Sequence, residues 1–116
     1  SAVFAGGVVA YDDKVKENVL GVPRRLLDET GAVSEPVAEA MAQGVARRLG
    51  SSASLAITGV AGPTGGTPEK PVGTVCIAAA VGEARRVVTL RLPGDRIEIR
   101  HRGAQAALNL VRGLLS

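Results

Sequence analysis

The feature that most constrains the fold is a glycine- and proline-rich stretch near the middle of the chain. Residues 58–75 read TGVAGPTGGTPEKPVGTV, with five glycines and three prolines in eighteen positions. This composition excludes regular helix and strand, because glycine is too free in conformation and proline lacks a backbone donor. The stretch follows a short apolar run, so it begins where a strand is predicted to end. A long connection of this kind inside a compact domain is usually functional.

The position of this stretch also indicates what it can do. Open α/β sheets bind ligands beyond the carboxyl ends of their strands. Glycines let backbone N–H groups come close to an anion, and Lys70 adds a positive charge. The stretch matches neither the P-loop pattern nor the dinucleotide-binding G-x-G-x-x-G pattern. The alternative is a long connection that binds nothing.

Composition narrows the range of partners. The 116 residues fit one domain, and 46% hydrophobic residues suffice for a globular core. A net charge of +3 spread along the chain is not the clustered basic face of a nucleic-acid binder. With one Phe, one Tyr and no Trp, the chain has no stacking platform for bases. We therefore expect no nucleic-acid partner.

Other classes of protein are disfavoured in the same way. No apolar run approaches the ~20 residues of a membrane span, so we expect no membrane partner. No cluster of His, Cys or carboxylate residues has the spacing of metal ligands, so we expect no metal or other cofactor. The single cysteine, Cys76, excludes an intramolecular disulfide and favours a cytoplasmic setting.

Strand and helix patterns alternate along the chain, which predicts an α/β fold with a layered sheet. The predicted strands cover residues 2–11, 53–58, 72–81 and 85–92, and the last two form an antiparallel hairpin. The predicted helices are a short one that begins at Asp12 or Asp13 and stops at Gly21, a helix or turn over 23–30, and longer helices over 34–49 and 95–115.

The two longer helices have clear signals. Ser34 is an N-cap residue, Pro36 lies in the first turn, and Gly50 is a stop. The C-terminal helix follows Pro93-Gly94. Its predicted inner face consists of Ala104, Ala107, Leu108, Val111 and Leu115. Cys76 is predicted to be a core residue, and the lone His101 a surface residue.

Two groups of residues are candidates for chemistry. Tyr11 closes the first predicted strand, and Lys14 and Lys16 follow it, so that a lysine there can serve as a general base. A solvated lysine is the alternative. Arg96 and Arg100 are four residues apart at the start of the last helix, where they and the helix N-terminus form a candidate anion site. Ordinary surface arginines are the alternative.

Several motifs together resemble the CinA C-terminal domain family. The stretch at 58–75 is similar to the signature loop of that family, and further matches lie at the family's separations. These matches are GVVAY at 7–11, Lys16, GV at 21–22, GAVSEPV at 31–37, and GDR at 94–96 with Arg100. The resemblance covers nearly the whole chain.

The resemblance implies a three-layer α/β/α fold with a mixed, mostly parallel sheet of five strands, one of them antiparallel. It implies an amidohydrolase that converts nicotinamide mononucleotide to nicotinic acid mononucleotide and ammonia in NAD salvage. The implied mechanism is of the Ser–Lys type, with Lys16 as the family lysine, Tyr11 assisting and Thr58 beside the acyl centre. The implied substrate-binding residues are Gly59, Gly62, Gly65, Gly66, Thr67, Lys70, Arg96 and Arg100. Self-association is left open.

The chain departs from the family in two places. The nucleophilic serine of the family lies in a T-A-E-S-C-T-G-G motif, which does not occur among the 116 residues, and Asp12-Asp13 stand where the family has Ser-Asn. We therefore expect a single domain over 1–116 that is N-terminally incomplete and lacks the first strand of the family fold. The strands at 2–11 and 53–58 are then expected to flank a gap instead of pairing. The alternative is a non-catalytic nucleotide-binding or regulatory module tied to competence or DNA repair.

Overall fold

The computed structural model describes residues 13–115, which form an α/β fold. The elements in chain order are α1 (Asp13–Asn18), α2 (Arg24–Thr30), α3 (Glu35–Leu49), β1 (Ala53–Gly59), β2 (Thr74–Val81), β3 (Ala84–Arg91) and α4 (Arg96–Leu115). The helices and the last three strands lie close to their predicted positions. The predicted strand at 2–11, with Tyr11 and the gap expected beside it, lies outside the described residues.

The described sheet has the strand order β1-β2-β3, with β2 antiparallel to both neighbours. The strands β1 and β3 therefore run in the same direction. The family resemblance implies a mostly parallel sheet, whereas the pairs within residues 13–115 are all antiparallel. Parallel neighbours need a crossover connection that usually contains a helix. A two-residue turn joins β2 to β3, and a connection without a helix joins β1 to β2.

The sheet is packed on both faces. Cys76 and Ala78 of β2 belong to the apolar cluster that includes α3, and Val75 and Ile77 belong to the cluster that includes α4. Because successive side chains of a strand point to opposite faces, α3 and α4 lie on opposite faces of the sheet. Cys76 is a buried core residue, as predicted.

Local sequence explains the ends of the longer helices. The Ser34 hydroxyl accepts a hydrogen bond from the Val37 amide at 3.3 Å, and Gly50 ends α3 in the left-handed conformation with φ of 63°. At the start of α4, the Asp95 carboxylate accepts from the Glu98 amide at 2.9 Å, and the Glu98 carboxylate accepts from the Asp95 amide at 3.2 Å. This reciprocal arrangement is a capping box.

The predicted inner face of α4 is wrong in part. Ala107 is buried, but Ala104 is exposed, and Leu108 and Leu115 are 51% and 64% exposed. The buried face is formed by Ile99, Gly103 and Ala107. The helix has apolar residues on two faces, and the one with small residues lies against the sheet, where a Cβ on Gly103 would be 3.6 Å from Val75. Small side chains let the backbone of α4 pack against the strands. The apolar pattern of the helix alone does not predict that this face is the buried one.

Two isoleucines of α4 provide a test of this orientation. We expect Ile99→Val to lower the free energy of unfolding by about 1 kcal/mol, since Ile99 is 2% exposed and the change leaves a small cavity. The same substitution at Ile97, which is 66% exposed, should change stability by less than about 0.5 kcal/mol. Urea unfolding followed by circular dichroism measures both. Equal losses would contradict the observed orientation of α4.

Candidate functional site

The glycine-rich connection between β1 and β2 is a loop with a rigid base, and we call residues 60–73 the glycine loop. The Val60 amide donates to the Thr74 carbonyl at 2.9 Å, and the Gly73 amide donates to the Val60 carbonyl at 2.8 Å. The Leu92 amide donates to the Gly73 carbonyl at 2.8 Å, which ties the base to the end of β3. The two ends of the loop are therefore held side by side at the edge of the sheet where β1 ends.

Close packing within the glycine loop explains two of its glycines. A Cβ on Gly62, where φ is 81°, would lie 2.6 Å from a methyl carbon of Val72, and a Cβ on Gly66 would lie 2.8 Å from the Val72 amide nitrogen. Neither position has room for a side chain. Gly65 and Gly66 are exposed. Close packing thus requires glycine at positions 62 and 66, whether or not these residues also contact the substrate.

Lys70 joins the glycine loop to the end of α2. Its Nζ donates to the Thr30 carbonyl at 2.7 Å, across 40 residues of sequence. Within the loop, the Lys70 amide donates to the Thr67 hydroxyl and the Thr67 amide donates to the Lys70 carbonyl, both at 3.0 Å. Thr67 and Lys70, both predicted to bind substrate, therefore close a turn of the loop and attach it to the body of the domain.

Arginines hold the glycine loop from the other side. Arg96, at the start of α4, donates from Nη1 to the Gly62 carbonyl at 2.9 Å. Arg91, at the end of β3, donates from Nη2 to the Glu69 carbonyl at 3.1 Å and from Nη1 to the Thr74 hydroxyl. Arg91 was not a sequence-based candidate. The predicted hairpin could have identified Arg91. Its register places the end of β3 opposite the start of β2, where the loop returns to the sheet.

Arg96 and Arg100, the residues of the predicted anion site, have different surroundings in the structure. Arg96 uses one nitrogen on Gly62, whereas Arg100 is exposed and makes no hydrogen bond or ion pair with residues 13–115. The helix N-terminus beside them is occupied by the Asp95–Glu98 capping box. An anion bound here would therefore depend on the guanidinium groups, because the capping carboxylates already use part of the helix end.

Thr58, predicted to lie beside the acyl centre, is buried at the end of β1. Its hydroxyl donates to the Ala32 carbonyl at 2.8 Å. The hydroxyl proton is thus already engaged with the backbone of the connection between α2 and α3. The same connection receives Lys70, so β1, the glycine loop and this connection meet at residues 30–32.

The role of Thr58 can be tested by its stability effect. We expect Thr58→Val to lower the free energy of unfolding by about 1–3 kcal/mol, because the Ala32 carbonyl loses its donor. The control is Thr64→Val at an exposed position of the glycine loop, where the change should stay within about 0.5 kcal/mol. Thermal and urea unfolding compare the two variants. A neutral Thr58→Val would show that the hydroxyl is not needed to hold the connection.

Lys16 is buried although it is charged. Its residue exposure is 7%, and its Nζ lies 3.6 Å from the Asp13 carboxylate within α1. The Asp13 side chain is 48% exposed. In the described part of the chain, the side chain of Lys16 pairs with Asp13 and makes no hydrogen bond to Thr58 or to the glycine loop. Tyr11, the predicted partner of Lys16, lies outside the described residues.

Two further features can be stated for residues 13–115. No three His, Cys, Asp or Glu side chains are grouped closely enough to hold a metal ion. Across the same residues, none of the helices is both long and apolar enough to cross a membrane. His101 is exposed on α4, as the sequence predicts.

Comparison with known proteins identifies close relatives. The family model described as the CinA C-terminal domain matches residues 1–115. The CinA-like protein of Mycobacterium marinum is 52% identical over 117 residues, which cover 100% of this chain and 28% of that protein. The CinA-like protein of Gemmatimonas aurantiaca is 54% identical over 112 residues, or 97% of this chain and 26% of that protein. The chain thus spans less than a third of the length of these curated relatives.

Solved structures show the same similarity. The crystal structure of the competence/damage inducible protein CihA from Agrobacterium tumefaciens aligns with a TM-score of 0.89 at 36% identity, covering 92% of this chain and 66% of that one. The competence or damage-inducible protein from Enterobacter asburiae aligns with a TM-score of 0.89 at 31% identity, covering 95% of this chain and 69% of that one. About a third of each of these chains lies beyond the match.

Proposed function

Because the chain belongs to the CinA C-terminal domain family, we propose that it is the lysine- and loop-bearing part of an amidohydrolase for nicotinamide mononucleotide. The reaction converts the carboxamide to a carboxylate and releases ammonia, with nicotinic acid mononucleotide as the other product. We propose the cytoplasm as its setting, since the one cysteine of the chain is an unpaired core thiol. The activity is proposed for the longest natural polypeptide that contains these residues, because the curated relatives are much longer than the match.

The observation that carries this proposal is the buried ammonium group of Lys16. Lysine is almost never fully buried unless it is paired, and burying a charge costs free energy. Among residues 13–115, the partner of Lys16 is a half-exposed carboxylate at 3.6 Å, which is long for a compensating hydrogen bond. A lysine kept in such a place for function is the pattern of a general base.

In the proposed mechanism, a serine hydroxyl attacks the carboxamide carbon and its proton passes to the side-chain nitrogen of Lys16. The C–N bond then breaks, and ammonia leaves with the proton that Lys16 returns. Water attacks the acyl-enzyme, the ester bond breaks, and the serine recovers its proton through Lys16. The serine belongs to the T-A-E-S-C-T-G-G motif of the family, which is not among these 116 residues.

The remaining candidate residues have binding or positioning roles in this proposal. Gly65 and Gly66 are exposed, and their backbone N–H groups are proposed as donors to the oxyanion or the phosphate. Arg100 is proposed as a phosphate ligand, because its guanidinium is exposed one helical turn after Arg96, which anchors the loop. Thr58 is proposed as a positioning residue, since its hydroxyl is engaged with Ala32.

The test is ammonia release from nicotinamide mononucleotide by the longest natural polypeptide that contains residues 1–116. We expect one ammonia and one nicotinic acid mononucleotide for each substrate consumed, measured by a coupled ammonia assay and chromatography. The serine-to-alanine variant of the family motif is the control for contaminating amidases. A well-folded protein that binds the nucleotide but releases no ammonia would overturn the proposal and favour the non-catalytic nucleotide-binding module.

A further inference from the structure

Three consecutive backbone carbonyls, that of Thr30 at the end of α2 and those of Gly31 and Ala32 in the connection to α3, each accept a hydrogen bond from a side chain. The Thr30 carbonyl accepts from Lys70 at 2.7 Å, the Gly31 carbonyl from Ser34 at 2.9 Å, and the Ala32 carbonyl from Thr58 at 2.8 Å. Lys70 belongs to the glycine loop, Thr58 lies at the end of β1, and Ser34 is the N-cap residue in the same connection. Residues 30–32 are therefore the place where the glycine loop and β1 are joined to the region between α2 and α3.

Lys70 differs from the other two donors in the conformational entropy that its side chain loses on forming the hydrogen bond. Ser34 and Thr58 have short side chains, whereas a lysine side chain must lose most of its rotamer freedom to make one fixed contact. The Lys70 side chain is half-buried, and its Nζ would be 3.0 Å from a Cβ built on Gly31. The ammonium group is thus packed against the connection and is not extended into solvent.

The glycine loop needs such an attachment because it has few side chains of its own to pack. Eight consecutive residues from Pro63 to Lys70 include seven exposed ones, and Lys70 is the exception. Arg96 and Arg91 hold the loop through the Gly62 and Glu69 carbonyls, and Lys70 holds it from the side of α2. In each case a cation donates to a backbone carbonyl, a charge-assisted hydrogen bond stronger than a neutral one.

We propose that Lys70 is a positioning residue, whose hydrogen bond to the Thr30 carbonyl latches the glycine loop in the shape that receives substrate. The sequence-based hypothesis assigns Lys70 to the binding of substrate, where its charge would meet the phosphate. In the present proposal Lys70 instead binds the Thr30 carbonyl, and other groups bind the phosphate of the substrate. The catalytic part of this inference rests on the proposed function, whereas the structural part does not.

Amide hydrogen exchange tests the latch without any activity. The amides of residues 67 and 70 are hydrogen-bonded within the loop, and the Gly73 amide is bonded to Val60 at its base. We expect Lys70→Met to speed exchange at 67 and 70 about tenfold or more, the change expected when a hydrogen bond from a charged group is lost, with little change at Gly73. Lys70→Arg, which keeps a cationic donor, should restore most of the protection.

The charge itself needs a separate control. Arg85→Met removes one positive charge from an exposed position at the start of β3 and should leave loop exchange unchanged. Unchanged exchange at 67 and 70 in Lys70→Met would overturn the latch. So would equal acceleration in the Arg85 variant, because the effect would then follow net charge.

Kinetics separate positioning from phosphate binding. If Lys70 positions the loop, Lys70→Met should lower kcat by the same factor for nicotinamide mononucleotide and for nicotinamide riboside, which has no phosphate. An increase in KM for the mononucleotide alone would overturn the inference. If the unaltered polypeptide releases no ammonia, the proposed function fails, and hydrogen exchange alone decides whether the latch exists.

Discussion

Gly44→Ala should lower the free energy of unfolding by about 3 kcal/mol or more, a large part of the stability of a small domain. Gly44 lies inside α3, where its backbone meets the connection that follows α1. A Cβ at this position would lie 1.8 Å from the Leu20 carbonyl oxygen and 2.7 Å from its carbon. Because both neighbours are backbone atoms, no side chain can rotate to relieve the contact. The helix must move away from the connection, with loss of packing around Leu20 and Val22.

The matched control for this prediction is Gly113→Ala in α4. A Cβ on Gly113 would have nothing within 4 Å, and alanine is a better helix former than glycine. The same substitution should therefore stabilise the protein by up to about 1 kcal/mol. Urea unfolding followed by circular dichroism measures both, since the chain has no tryptophan for fluorescence. A Gly44→Ala variant as stable as the unaltered protein would contradict the close approach of α3 to Leu20.

Lys16→Ala should lower the turnover of nicotinamide mononucleotide by about 10²–10⁴-fold, the usual contribution of a general acid–base. The expected loss falls on kcat, because the amine acts in proton transfer and not in holding the substrate. Ammonia release under saturating substrate measures it in the longest natural polypeptide containing the chain. The outcome depends on the proposed function and on the buried position of Lys16.

Lys14→Ala is the control for charge and for the helix. Lys14 is exposed on the same six-residue helix, two positions before Lys16. Turnover should stay within a factor of about two, as expected for a surface change away from the reacting groups. Circular dichroism and nucleotide binding must show that Lys16→Ala is still folded and still binds. Equal turnover in the two variants would remove Lys16 from the proposed mechanism.

The ends of α3 show how far local sequence can determine structure. Ser34 caps the helix and Gly50 ends it, both as predicted. Such signals work because the atoms that satisfy a helix end belong to residues within three or four positions of it. The hairpin of β2 and β3 was predictable for the same reason, since a two-residue turn brings the strands together.

The inner face of α4 was not predictable in this way. Both Ile99 and Leu108 are apolar and recur at helical spacing, yet one is 2% exposed and the other 51%. Periodicity shows that a helix has an apolar face, but with two such faces it does not show which one meets the sheet. The packing of Ile99, Gly103 and Ala107 against the sheet decides it, and those contacts exist only after the strands have been placed.

The candidate site also has a part that the sequence predicted and a part that only the tertiary structure shows. The glycine loop and its basic residues were identified from the chain, because composition alone excludes regular structure there and the motif resembles that of a family. The partners of Lys70, Thr58 and Arg96 were not, since each donates to a carbonyl more than twenty residues away. The residues around a lysine in the sequence do not predict which distant carbonyl will accept a hydrogen bond from its ammonium group.

The sequence by itself therefore determined the order of the helices and strands within residues 13–115, the ends of α3, the family and the segment that forms the loop. These depend on contacts between neighbours in the chain and on a motif that is read residue by residue. Only the tertiary structure decided the antiparallel pairing of the described strands, the buried face of α4 and the attachment of the loop to residues 30–32. Those depend on contacts between distant segments, which are set when apolar faces are buried together and backbone groups need partners.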